Sequence, residues 1–192
     1  MIEALNWESP IEAFHQKDHE LPNGSIKLVD CGFVPRFSVR GRHEDNNFVA
    51  EFSSLLGFQL PGDSYQASKG NDRTVFWLQP SEWMVSTSSN DQEKLSNSLV
   101  NSKLFFSEVS DARIGVQISG PHAISLIKKS CSIDVRDRVF GPGSIAQTKF
   151  AEVRALIYRP SVESMYEIIC ERIWGEYLWT WLKDAATEYD SR

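Results

Sequence analysis

The chain has 192 residues, enough to bury one compact core or two small ones. With 41% hydrophobic and 24% charged residues it has the composition of a folded globular protein, which excludes wholesale disorder. A formal charge of −6 without any Lys/Arg-rich run argues against nucleic acid or an anionic membrane as a partner, because neither surface attracts a net anion.

Met1 to Gly24 reads as an extended arm that ends in the turn signal "LPNG". Its acidic start lacks the basic region of a signal peptide. The longest apolar runs, such as "ALIY", fall far short of the roughly 20 residues a membrane span needs. In "FVPRFSVRG" Phe37 and Val39 alternate with polar residues, as a strand requires; in "HEDNNFVAEFSSLLG" Phe48, Phe52, Leu55 and Leu56 share a helical face that Gly57 closes. "SYQASKG", "RTVFWLQ" and "EWMVSTS" read as three short strands, followed by a helix over Asp91 to Val100. "FFSEVSDARIGVQISG" supplies two strands, "PHAISLIKKS" a helix, "SIAQTKF", "RALIYRP" and "MYEIICE" three strands, and Ile173 to Glu188 a last helix.

The order of the first half recurs in the second: "RFSVRG" stands against "GVQISG", and "FWLQPSEWMVS" against "LIYRPSVESMYEIIC", each followed by a helix. Short consecutive strands joined by tight turns form antiparallel sheets. The expected fold class is therefore α+β: two pseudo-duplicated lobes, each a small, mostly antiparallel sheet covered by helices on one face. An arm over 1–24 precedes lobes over 25–104 and 105–192, which meet near residues 102 to 112.

"QISGPHAISLIKKSC" resembles a phosphate loop only superficially, since it lacks the further glycines and the Lys-Ser/Thr pair that surround a phosphate. Gly120 instead permits a sharp turn, Pro121 occupies a first helical position, and Ala123, Ile124 and Ile127 form a buried face. Cys131 follows Lys128 and Lys129, which could lower a thiol pKa, but a helix C-terminus disfavours a thiolate, so a structural thiol is preferred. Three cysteines, Cys31, Cys131 and Cys170, without CxxC spacing form neither a disulfide framework nor a zinc knuckle and suit a reducing cytoplasm.

His15 and His19 stand four apart in the arm, a spacing that would suit a metal on a helix. No further ligands are marked, and a solvated or partner-contacting segment is preferred. His43 and His122 have no nucleophile beside them, so no triad is assembled. In "SEVSDARIG", Ser107, Ser110, Asp111 and Arg113 join the lobes; an Arg-carboxylate pair there could position a ligand, but a turn in which Asp111 caps local amides and pairs with Arg113 is preferred. The charge alternation in "DVRDRVFGPG" suits either a solvated edge or an interlocking partner. On the last helix Trp174, Tyr177, Leu178, Trp181 and Ala185 fall on one stripe, read as core, and Trp179 falls opposite it among Arg172, Glu176 and Lys183. A Trp there is either half-buried under the arm or an anchor for another chain. No catalytic, cofactor-binding or metal residue is assigned; Trp179, Asp111 and Arg113 are the expected partner contacts.

At "VFWLQPSEWMVS", "SEVSDARIGVQISGPHAISLIKKSCSIDV", "VFGPGSIAQT" and "YLWTWLKDA" the chain resembles the gamma subunits of heterotetrameric sarcosine oxidases, from about Arg36 to Ala186. The resemblance implies a fold like the folate-binding aminomethyltransferase of the glycine cleavage system. It also implies a mainly architectural small subunit of a flavoenzyme that oxidatively demethylates sarcosine to glycine, passes the one-carbon unit to tetrahydrofolate or releases formaldehyde, and forms hydrogen peroxide. FAD, FMN and NAD would belong to the large subunits, zinc to the smallest and tetrahydrofolate to the alpha subunit, making alpha, beta and delta chains the implied partners. Ser130 departs from the glycine that related gamma chains carry before the cysteine, which puts a tight backbone turn there in doubt. The "KGCYxGQ"-like signature of the iron-sulfur-maintenance protein on the same fold is absent. An alternative is a free-standing folate-binding transferase whose cleft near Asp111 and Arg113 holds a pterin or a carboxylate.

Overall fold

The computed structural model describes residues 8–11, 18–160 and 164–190. In chain order its elements are β1 (Asp18–Glu20), β2 (Lys27–Asp30), β3 (Arg36–Arg40), α1 (Asn46–Leu56), β4 (Ala67–Gly70), β5 (Arg73–Gln79), β6 (Glu82–Ser86), α2 (Gln92–Val100), β7 (Phe105–Glu108), β8 (Arg113–Ser119), α3 (Ala123–Ser130), β9 (Ile145–Phe150), β10 (Val153–Tyr158), β11 (Met165–Glu171) and α4 (Gly175–Ala186). They form a five-stranded sheet, β4-β5-β6-β3-β7, and a six-stranded sheet, β1-β2-β8-β11-β10-β9. The paired strands are antiparallel throughout.

Apart from β1, the sheets have one strand order, with β7-β3-β6-β5-β4 matching β2-β8-β11-β10-β9. Each half of the chain thus runs strand, strand, helix, three strands, helix, and each half gives its first strand to the other's sheet. Leu28 of β2 lies opposite Ile118 of β8, and Val39 of β3 lies opposite Phe106 of β7. The segments 25–104 and 105–192 each supply four adjacent strands of one sheet and a single strand of the other. Alternating apolar residues specify a buried face but not a partner strand. Here the amide of Cys31 donates to the carbonyl of Gly115, and that of Val109 to the carbonyl of Arg36, so the chain crosses from one sheet to the other directly after β2 and β7.

The period-two pattern sorts each sheet into two faces. Ile114, Val116, Ile118, Ile157 and Ile168 pack under α3 and α4, and Phe37, Val39, Val75, Trp83 and Val85 pack under α1 and α2. The opposite faces meet each other through Phe76, Met84, Ile145, Leu156, Tyr158 and Ile169. The result is a helix, sheet, sheet, helix stack, each sheet covered by helices on one side only. Side chains such as Phe52 and Trp83, fully buried, contribute about 1.5–3 kcal/mol each.

Local signals explain the helix ends. Asp45 accepts hydrogen bonds from the amides of Asn47 and Phe48 to start α1, and Gly57, with φ 83°, donates back to Ser53 to end it. Gly120 holds φ +113°, and a Cβ there would stand 2.6 Å from the carbonyl oxygen of Ser25, so this turn requires glycine. Pro121 lies in the turn itself, ahead of the first residue of α3. Behind α3, Cys131 is extended at φ −146° and Ser130 donates its hydroxyl to the carbonyl of Leu126 at 2.6 Å. No left-handed residue is needed there, which is why serine is accommodated.

Over its described residues the arm packs on the six-stranded sheet. Ile11 and Leu21 are buried, β1 pairs with β2, and Asn23 donates to the carbonyl of Tyr189 at 2.7 Å. Two apolar side chains and an edge strand tie the segment to the six-stranded sheet.

Candidate functional site

The surfaces and buried polar groups that can carry function lie where the sheets cross and on α4. Ser110, in a 3-10 turn over Ser110–Ala112, is buried. Its hydroxyl accepts from the amide of Arg36 at 3.0 Å and donates to Glu108 at 2.8 Å. The turn is therefore held by Ser110. Asp111 points into solvent and Arg113, as the first residue of β8, faces the space between the sheets, so the expected Asp111–Arg113 pair does not form among the described residues.

Between the sheets Arg36, fully buried, places Nη2 3.3 Å from Oε1 of Glu167, whose side chain is 23% exposed. Burial lowers the Arg36 pKa, with Glu167 opposing that shift; burial raises the Glu167 pKa, with Arg36 opposing it. Gly115 packs against both, since a Cβ there would stand 3.0 Å from each partner. Sequence reasoning missed this pair. A lone Glu inside the apolar strand "MYEIICE" was the available signal. A second buried pair lies at one end of the five-stranded sheet: Arg73 holds Asp91 through two bonds of 2.6 and 2.9 Å and donates to the carbonyl of Leu55. Asp91 also accepts from Thr87, and the hydrogen bond from Arg73 is the main cause holding its carboxyl below the usual range.

The candidate nucleophiles are disfavoured as thiolates. Burial pushes Cys31 and Cys170 up to about 12, and raises Cys131, whose thiol donates to the carbonyl of Ile127. His43 stacks on Trp77 at 4.7 Å and His122 on Tyr189 at 5.3 Å. His15 lies outside the described residues. His19 sits in β1 with its pKa lowered by burial, and no metal-binding group of His, Cys, Asp and Glu occurs among the described residues.

On α4 the expected stripe is only partly the buried one: Leu178 and Ala185 are buried as expected and Trp181 packs partly against the core. Trp179 is fully buried with Leu178, Leu182 and Ala186, whereas Trp174 and Tyr177, expected in the core, are 45% and 37% exposed. Trp179 is not an exposed anchor: it shares one buried cluster with Ile11 of the arm, Leu178 and Leu182. At about 100° per residue the buried arc is centred near Leu182, roughly a quarter turn from the aromatic stripe, because Leu182 and Ala186 outweigh the rings of Trp174 and Tyr177. Ile173, ahead of the helix, is 80% exposed.

Beside Arg113 a cleft of about 430 Å³ opens between the sheets, floored by Met84, Leu156 and Ile169. Arg154 and Gln147 stand on its rim, and Gln147 donates to the carbonyl of Leu78. Neither Arg113 nor Arg154 has an ion-pair partner within the chain among the described residues. Arg154 was not singled out in the sequence, where it is one cation in an unremarkable hairpin.

The family model described as "Sarcosine oxidase, gamma subunit family" matches residues 40–188. Among similar curated proteins, the sarcosine oxidase gamma subunit of Corynebacterium sp. strain P-1 is 26% identical over 171 residues, covering 88% of this chain and 83% of the relative. That of Arthrobacter sp. is 28% identical over 173 residues, with the same coverage. A chain in the structure of heterotetrameric sarcosine oxidase from Corynebacterium sp. U-96 in complex with pyrrole 2-carboxylate superposes with a TM-score of 0.82 at 21% identity over 96% of both chains. Glycine cleavage system aminomethyltransferase T from Bartonella henselae shares the fold at a TM-score of 0.60 and 14% identity, over 81% of this chain and 44% of that one. The chain, with its two antiparallel sheets and helices, belongs to the sarcosine oxidase gamma subunit family.

Proposed function

We propose that this chain is the non-catalytic gamma subunit of a cytoplasmic heterotetrameric sarcosine oxidase and joins alpha, beta and delta subunits. In that complex sarcosine is oxidised to glycine, two electrons reduce dioxygen to hydrogen peroxide, and the methyl carbon leaves as formaldehyde or passes to tetrahydrofolate. FAD, FMN and NAD sit on the large subunits, zinc on the smallest and tetrahydrofolate on the alpha subunit. The observation that carries this proposal is the family match over residues 40–188. The non-catalytic role is supported by the protonated thiols and by histidines engaged in ring stacks. Asp111 and Arg113, at the crossing of the sheets, contribute to contacts with the other subunits.

One observation favours a second reading, a free-standing folate-binding transferase. The cleft beside Arg113 and Arg154 has cations above an apolar floor, which suits a flat ligand bearing a carboxylate. Against it, the chain spans 44% of the aminomethyltransferase chain it resembles. The test is to capture the chain from its native host through a C-terminal tag and record the visible spectrum of what co-purifies. A flavin spectrum with stoichiometric larger chains is expected. A colourless, solitary chain that binds folate saturably would overturn the subunit proposal in favour of the transferase.

A further inference from the structure

The inter-sheet cleft continues beyond Arg113. Arg113 and Glu171 also line a shallow hollow with Ala112, Arg172 and Ile173. Ile173 in turn lines a groove of about 660 Å³ on the outer side of α4, with Trp174, Tyr177, Thr180 and Trp181. The depressions share residues and form one track from the crossing of the sheets onto the last helix. Arg154 stands at one end, Arg113 beside Glu171 follows, Arg172 and Ile173 lead onto the helix, Trp174 and Tyr177 flank Glu176 in the middle, and Asp184 closes the other end. Aromatic and arginine side chains are the types that dominate binding energy in interfaces, and ordered charge sets the register of a partner.

The repeat provides an internal control. Strand order makes α2 the counterpart of α4, since each follows the third strand of its unit's hairpins. The hollow on α2 is lined by Asn90, Glu93, Lys94, Asn97, Ser98 and Asn101. One fold position thus carries a polar surface in one unit and an aromatic one in the other, although both helices bury an apolar face of the same kind.

We infer that the track seats one segment of a larger subunit, with a carboxylate where it meets Arg154, apolar side chains against Ile173, Trp174 and Tyr177, and a cation where it meets Asp184. The inference rests on the subunit proposal and names the surface through which it operates.

The test captures tagged wild-type chain and the variants Trp174→Ala, Arg154→Glu, Asp184→Lys and, as a control on α2, Lys94→Glu from the native host, and measures flavin absorbance per tagged chain. Trp174→Ala is expected to reduce co-purified flavin at least about tenfold, the two charge reversals to reduce it less and in a salt-dependent way, and Lys94→Glu to leave it unchanged. Unchanged circular dichroism of each variant separates loss of docking from loss of fold. A photo-crosslinker at Tyr177 of the wild-type chain should attach to a peptide of a larger subunit carrying both acidic and apolar residues. The inference is overturned if wild type brings down a flavoprotein and all three track variants do so equally, if the crosslink lands on a second copy of this chain, or if folate competes away the crosslink. A wild-type chain that captures no flavoprotein overturns the subunit proposal itself, which distinguishes the two failures.

Discussion

Helices α2 and α4 hold the same place in the two halves of the repeat and differ on the side turned away from the sheets. Towards its sheet α2 buries Leu95 and Leu99, while α4 buries Leu178, Trp179 and Leu182. Outwards α2 presents asparagines, a serine, Glu93 and Lys94, while α4 presents Tyr177 beside Trp174 and Ile173, which precede the helix. Burial against a sheet is demanded by the fold and is met in both. An outward aromatic surface is demanded by nothing in the fold, and leaving it in water forgoes the stabilisation that burial provides. The difference between equivalent helices therefore separates what the architecture needs from what a partner needs.

Trp179 in α4 and Trp174, which immediately precedes the helix, sharpen that separation. Trp179→Ala should destabilise the chain by about 3–5 kcal/mol through the cavity it leaves, measured by urea denaturation. Trp174→Ala should change stability by less than about 1 kcal/mol while reducing captured partner chains. The reverse pattern would mean that the outer face of α4 is structural and that the contrast with α2 carries no function.

The two buried ion pairs allow a second test. Arg73→Ala leaves Asp91 without its bidentate partner and the carbonyl of Leu55 without a donor, and should cost about 3–5 kcal/mol, or roughly 2–4 °C in Tm per kcal/mol. Next in size, Gly120→Ala should cost roughly 1–3 kcal/mol, because an L residue at φ +113° is strained and its Cβ meets the carbonyl of Ser25. A neutral outcome on thermal melting would show that this turn shifts freely.

The smallest expected effect is on pH dependence, and the pairs act in opposite directions. Asp91 has a folded pKa below its unfolded one, so its contribution is present above the ordinary carboxylate range and is lost as pH falls through the lowered value. Glu167 has a folded pKa above its unfolded one, so its contribution is present in acid and is lost as pH rises through the ordinary carboxylate range to the raised value. Asp91→Asn should flatten the acid limb of a stability-pH curve, and Glu167→Gln the opposite slope. If both variants parallel wild type, neither pair is linked to folding.

Much of the fold was legible in the sequence because the signals are local. Phe48, Phe52 and Leu56 followed by Gly57 specify α1, and Ile114, Val116 and Ile118 specify β8 whatever strand lies beside it. The exchange of β2 and β7 was not legible, since alternation in "KLVD" and "FFSE" does not name a partner. The Arg36–Glu167 pair depends on that exchange and was hidden with it. Arg113 was legible as a candidate because it sits in a polar cluster, but its separation from Asp111 follows from the change of backbone conformation between the turn and β8. The phase of α4 was legible only in part because a helical wheel weighs ring size, whereas the sheet accepts whichever face continues through Leu178, Leu182 and Ala186.

Native mass spectrometry of the complex captured through this chain tests the central claim most directly. A single assembly of four different chains that retains flavin, and that Trp174→Ala releases as free gamma chain while Asn97→Ala leaves it whole, is the expected result. A wild-type chain found alone, or an assembly indifferent to both substitutions, would contradict it.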